Sequence, residues 1–290
     1  METKALIFFR VLLNRYREGS ADAILKNLPQ DEVKKILALD IHSKDTSPAF
    51  VDPLQLISLV HYSWLVKPFL ELSTELQTYV LASLPSFQAQ GICKMVSMPY
   101  EPFAISVKWR PFFLMKLLNK LEIRSLLPLP YLPQTQLIAL VGCSKQQLVE
   151  LIDFLGLYDL AIELRQVVDK RILKQVYECL NRKKQVFLRA ALHQIDKFTP
   201  PKLGLETNMM DCRKLETILH RRGIIRLAAA LSDQHPHLRQ YLYYILDTGR
   251  SSLLKKYPDK EVPPNIAAAL AAQTMNTLNF LLQSSEGKRD

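Results

Sequence analysis

The chain has 290 residues, 48% hydrophobic and 23% charged, which excludes global disorder and leaves ample apolar side chain for a core. Its 51 Leu stand against only eight Gly. Barrels, sandwiches and nucleotide-binding loops need Gly where φ is positive, so this composition points to stacked helices. Thirty-eight Lys and Arg against 28 Asp and Glu give a net charge of +10, which suits a phosphate backbone, an anionic lipid or an acidic protein face.

At the start, the apolar run Ala5 to Phe9 is cut by Arg10, and Arg15, Arg17 and Glu18 follow without a small-residue cleavage site, so no secretory leader is read. A short helix then ends near Asn27. Pro29 with Asp31 and Glu32 opens another, since Pro is tolerated in a first turn and acids there complement the helix dipole. Leu6, Ile7, Phe8, Phe9, Val11, Leu12 and Leu13 carry more apolar surface than one short helix can hide against Ile24, Leu25, Leu28, Val33 and Ile36. The unit reads either as an ordinary core or as a site that grips a partner helix, with Phe8, Phe9, Leu12, Ile24, Leu28 and Val33 as candidate contacts.

Self-comparison shows repetition. Gln147 to Leu164 aligns without gaps on Lys214 to Leu231, superposing Gly156 on Gly223, and a weaker copy runs from Gln55 to Leu72 with Trp64 in the glycine's place. Short helical repeats cannot bury their faces alone and must stack. The expected fold is all-α, with armadillo- or HEAT-like stacked repeats in two or three units. Met95 to Pro133 interrupts the pattern with aromatics and prolines; Phe113 to Leu121 can form a helix there, and Leu127 to Pro133 reads as a linker. The expected organisation is an N-terminal helical unit at 1–46, a middle armadillo-like unit at 47–98, a Pro- and aromatic-rich connector at 99–134, an armadillo-like unit at 135–200, a C-terminal helical unit at 201–283 and a polar tail at 284–290.

Between Arg165 and Leu192 eight basic residues, among them Lys170, Lys174, Arg182, Lys183 and Lys184, face two acidic ones. They read as a solvated convex face or as a docking surface for an acidic protein or nucleic acid; stacking aromatics are sparse there, which disfavours single strands. The four cysteines stand far apart with no CxxC pair, an argument against a disulfide framework or zinc and for a reducing cytoplasm; Cys143 and Cys179 read as core or near-core. No phosphate loop, GxSxG elbow or HExxH motif occurs, and His235-Pro236-His237 reads as a polar loop. No catalytic residue, metal or cofactor is expected. Val262 to Ser285 is diluted by Asn265, Gln273, Asn276, Asn279 and Gln283, and reads as a docked amphipathic helix rather than a membrane span.

Taken in order, these segments resemble the flagellar motor-switch protein FliG family. Ala21 to Ile36 is similar to its N-terminal unit, with the Leu-Pro-Gln-Asp-Glu-Val turn between two helices; Asp52-Pro53-Leu54-Gln55-Leu56-Ile57-Ser58-Leu59-Val60 is similar to its middle-domain motif, keeping an acid, the Pro and a displaced Gln; and Gln147 to Leu180 is similar to its C-terminal armadillo unit. The chain lacks that family's Gly-Gly hinge and its torque charges. The resemblance thus implies the scaffold role alone: a cytoplasmic adaptor of a flagellar-type or injectisome type III secretion apparatus, such as the sorting-platform protein SctK. Its partners would be a membrane-ring protein and other cytoplasmic-ring proteins, with Asp52 and Gln55 among the contacts, and it would lie peripheral to the bacterial inner membrane through them. The alternative is a nucleic-acid-binding HEAT-like repeat protein.

Overall fold

A computed structural model describes residues 3–16, 21–39, 41, 44–46, 53–101, 103–194, 198, 211–257 and 262–286. Among them there is helix and no strand, so the chain is all-α, and no helix is long and apolar enough to cross a membrane. The residues form two compact units, one of 1–141 with 235–248 and one of 142–234 with 249–290. Sequence grouping places 235–248 with its neighbours at 201–283; in the structure this segment clusters with the first unit instead.

The first unit opens with α1 (Thr3–Tyr16), α2 (Ala21–Leu25) and α3 (Gln30–Leu37), where Leu6, Leu13, Leu25 and Ile36 make a small core. It continues through α4 (Pro53–Ser58), α5 (Tyr62–Leu70), α6 (Thr74–Ser83), α7 (Ser86–Val96) and α8 (Arg110–Leu118), and includes α13 (Pro236–Ile245). Helix ends leave carbonyls without partners, and in a packed stack water cannot reach them. Two-donor or bifurcating side chains solve this here. Gln88 Nε2 donates to the Ile57 and Val60 carbonyls at the end of α4, at 2.6 and 2.5 Å. Gln77 Nε2 serves Phe69 and Leu72 after α5 in the same way, and Trp64 Nε1 serves Tyr243 and Leu246 after α13.

The expected linker at Leu127 to Pro133 is a correction. Leu126, Leu127, Tyr131 and Leu132 are buried, in and beside 3₁₀ turns, and the segment is fixed on both sides. Leu127 N–H donates to His237 Nδ1 at 3.0 Å, and the Tyr241 hydroxyl donates to the Leu127 carbonyl at 2.9 Å. The Tyr131 hydroxyl donates to the Asp45 carbonyl at 2.6 Å. Three prolines forbid an α-helix, yet the leucines between them still gain from leaving water, so the segment is irregular and internal. Burial also pushes the Tyr241 phenol up to about 12.

The second unit contains α9 (Lys145–Leu164), α10 (Lys170–Cys179), α11 (Arg182–Leu192), α12 (Cys212–Ala230), all but the first residue of α14 (Thr248–Lys256), and α15 (Pro264–Glu286). Its helices start where short polar residues can accept orphan N–H groups. Ser144 and Gln147 form a capping box on α9, and Asp169, Asn181 and Asp211 cap α10, α11 and α12. Helix α9 packs along α12 through the two aligned glycines. A Cβ on Gly156 would lie 2.1 Å from the Leu219 carbonyl oxygen, and one on Gly223 would lie 1.7 Å from that of Ile152. The backbones touch, and no other residue fits. One turn to either side, His220 meets Asp153 and Arg226 meets Asp159, each pair 67 positions apart. Gly156 and Gly223 have the same separation, so the two helices run in the same sense with a constant offset in sequence.

Around this crossing, Phe154 and Tyr158 of α9 meet Phe187 of α11 at 5.2 and 5.4 Å between ring centres, and Phe187 meets Phe280 of α15 at 5.2 Å. Helix α15 packs on α12 at Ala229 and Ala230 through Leu270, with Ala267, Leu278 and Leu281 also buried. The apolar stripe read in the sequence at Val262 to Ser285 is thus docked within the unit.

The cysteine reading is also corrected. Cys179, at the last residue of α10, is disulfide-bonded to Cys212, at the first residue of α12, with Cα atoms 5.0 Å apart. Local spacing reveals only neighbours in sequence; this pair is 33 positions apart and is brought together by the packing of α10 and α12.

Candidate partner-binding site

Helices α2 and α3 border an open groove of about 590 Å³, lined by the apolar Leu25, Leu28, Val33 and Leu37 and the polar Asp22, Lys26, Gln30 and Lys34. The groove exists because the apolar positions of this hairpin are divided. Ile24, Leu28 and Val33 lean partly buried against the Leu6, Leu13, Leu25 and Ile36 core, whereas Leu37 remains 54% exposed. Apolar lining residues together with two lysines can take the apolar face of a helix whose flanks are acidic.

Of the other expected contacts in this unit, Phe9 packs on the same core and Phe8 and Leu12 are half-buried, so α1 spends most of its apolar surface internally. Gln55 is exposed on α4, and Asp52 lies outside the described residues.

The basic candidates belong to the second unit, where much of their charge is already matched. Lys183 Nζ lies 2.8 Å from Glu150 and 5.6 Å from the centre of the Phe154 ring. Lys184, only 14% exposed, lies 3.8 Å from Asp153. These two lysines tie α11 to α9. Lys174 pairs with Glu178 one turn on, and Arg171 with Asp169, whose carboxyl is held below its usual range by the guanidinium hydrogen bond. Arg165 donates to the Ala191, Leu192 and Gln194 carbonyls at the end of α11. Lys170 and Arg182 are exposed and make no ion pair among the described residues. The sequence showed the surplus, but pairing across helices depends on the fold.

Reactive-group clusters are engaged in structure. His220 donates from Nδ1 to Asp153 at 2.6 Å and accepts at Nε2 from Arg250 at 3.0 Å, a tautomer set by these partners, so both ring nitrogens are occupied. His235-Pro236-His237 is not a loop: it starts α13, with His235 Nδ1 accepting from the His237 N–H at 3.2 Å. Burial raises the thiol pKa of Cys93 and Cys143, which weakens both as nucleophiles at neutral pH. Among the described residues no three His, Cys, Asp or Glu side chains are grouped to hold a metal. The Arg226 guanidinium, 1% exposed, is bonded to Asp159 and to Gln273 Oε1 and lies over the Tyr158 ring, all inside the second unit. The sequence alignment had placed Asp159 and Arg226 at equivalent positions, which was the available signal for this pair.

No family model, no curated protein and no solved structure matches the chain.

Proposed function

We propose that the chain is a non-catalytic scaffold that joins helical segments of other proteins, in the role implied by its FliG-like motifs: an adaptor of the cytoplasmic ring or sorting platform of a flagellar-type or injectisome type III secretion apparatus. The observation that carries the partner-binding part is the α2–α3 groove, with exposed Leu37 and the lysines Lys26 and Lys34 in its lining. It falls in the segment that resembles the family's N-terminal unit. In this reading the matched segments Gln147–Leu164 and Lys214–Leu231, carried by α9 and α12, are armadillo-like elements of a rigid arm completed by α10 and α11. Lys183 and Lys184 stabilise that arm rather than hold phosphates, which speaks against the nucleic-acid alternative.

A cytoplasmic post requires the second unit to hold with Cys179 and Cys212 as thiols, because reducing compartments keep disulfides rare. The glycine crossing and the Asp159–Arg226 pair provide that hold independently of the bridge.

The test is capture from a bacterial lysate containing such an apparatus, with the full chain and its Leu37→Glu, Lys34→Glu variant compared by mass spectrometry. The wild-type chain should retain a membrane-ring protein and the variant should lose it. Equal retention by both would remove the groove from the reading, and absence of any secretion-apparatus component would remove the adaptor role.

A further inference from the structure

The connector between α7 and α8 holds a surface that the scaffold role does not use. Ser106 to Trp109 form a tight turn closed by the Trp109 N–H on the Ser106 carbonyl at 3.0 Å, and α8 starts directly behind it. The two corner positions of such a turn project furthest and are usually occupied by Gly, Asn, Asp or Pro. Here they are Val107 and Lys108, and Val107 is 77% exposed. Trp109 follows at 59% and Phe112 at 49%, so three large apolar side chains are exposed within six residues at the tip of the connector.

The tip is braced from below. Phe112 meets Phe113 edge to face at 5.3 Å, and Phe113 stacks on Tyr79 of α6 at 5.1 Å. This aromatic chain fixes the start of α8 to α6, so the exposure belongs to an anchored element. Charge completes the pattern. From Lys94 to Lys120 the chain has five basic residues and a single acid, Glu101. Lys108 and Arg110 alternate with Val107 and Trp109, and Lys116 Nζ lies 5.2 Å over the Phe112 ring.

We propose that this tip, Val107 to Phe112 with Lys116, docks directly on an anionic lipid surface. A bilayer interface closes around whatever enters it, so exposed apolar side chains with basic neighbours need no preformed pocket to be received there. Trp and Phe settle at the headgroup level, and Lys and Arg beside them reach anionic headgroups while their stems stay in the apolar layer. One signal is weak alone; apolar insertion together with a basic cluster gives stable, reversible attachment. The inference does not depend on which protein partner the α2–α3 groove takes.

The experiment is co-sedimentation of the full chain with vesicles of phosphatidylcholine alone and of phosphatidylcholine mixed with phosphatidylglycerol. The wild-type chain should bind the mixed vesicles, much less the neutral ones, and release as salt is raised. Lys108→Ala with Arg110→Ala should lower partitioning about 25-fold, roughly five-fold for each charge. Trp109→Ala should weaken binding at every salt concentration, and lipids brominated in the acyl chain should quench Trp109 fluorescence, a signal that Trp109→Phe removes. Lys108 and Trp109 are exposed on the turn and Arg110, the first residue of α8, is partly buried, so unchanged circular dichroism of each variant verifies the fold. No binding to mixed vesicles, or binding that none of these variants alters, overturns the proposal. Retention on polyglutamate through the same residues without vesicle binding overturns it in favour of an acidic protein partner.

Discussion

Replacing Gly223 by Ala tests whether backbone contact between α9 and α12 organises the second unit. The added methyl carbon would stand 1.7 Å from the Ile152 carbonyl oxygen and 2.7 Å from its carbon, and real Cβ contacts do not fall below 3.0 Å, so the helices must part by about an ångström. A gap of that size forfeits roughly a quarter to a half of the dispersion energy at each contact it opens. Intrinsic helix preference acts in the opposite direction and favours Ala by about 1 kcal/mol. Ordinary overpacking costs about 1–3 kcal/mol because side chains yield; here the struck atoms are backbone in two helices, and the buried Asp159–Arg226 pair one turn away is stretched as well. We expect a net loss of about 3 kcal/mol, seen as a urea midpoint lower by roughly 1–2 M at typical denaturant slopes. Gly156→Ala should behave alike, whereas Gly142→Ala, with nothing within 4 Å, is the control. Both tryptophans, Trp64 and Trp109, lie in the first unit, so fluorescence follows that unit while circular dichroism follows both. A Gly223→Ala chain whose dichroism midpoint equals or exceeds that of Gly142→Ala would refute the reasoning.

The buried ion pair should obey the same logic from the electrostatic side. Asp159→Asn leaves a guanidinium in the interior without its counter-charge and should cost about 3–5 kcal/mol in chemical denaturation, while the joint Asp159→Leu, Arg226→Met exchange should recover most of it; a single variant as stable as wild type contradicts the pairing. His235 gives a pH prediction. Burial, aided by Arg239, holds its pKa below the usual 6.5, and its unprotonated Nδ1 caps α13. The unfolded chain therefore binds this proton more readily, so the contribution is present above pH 6.5 and is lost as pH falls through the lower folded value. His235→Asn keeps a capping oxygen without the titration and should flatten the stability profile on the acid side of 6.5; an unchanged slope would assign it to other groups.

The helical class was legible in residues alone, because scarce Gly, abundant Leu and apolar spacing near 3.6 residues are local properties that a single helix expresses. The gapless match of Gln147–Leu164 with Lys214–Leu231 sets Gly156 on Gly223 and Asp159 on Arg226 as a property of the sequence alone. Only tertiary structure decided that these equivalent positions face one another, that the glycines are there for close approach, and that the acid and the base neutralise each other. It likewise decided that Cys179 reaches Cys212, that the proline-broken leucines at 126–132 are internal, and that Lys183 and Lys184 are held by α9. The sequence showed Val107, Trp109 and Phe112 as apolar, and apolar residues are ordinarily read as core. Whether such a side chain is hidden depends on which surface remains to cover it once every other element has packed, and that is a property of the whole fold.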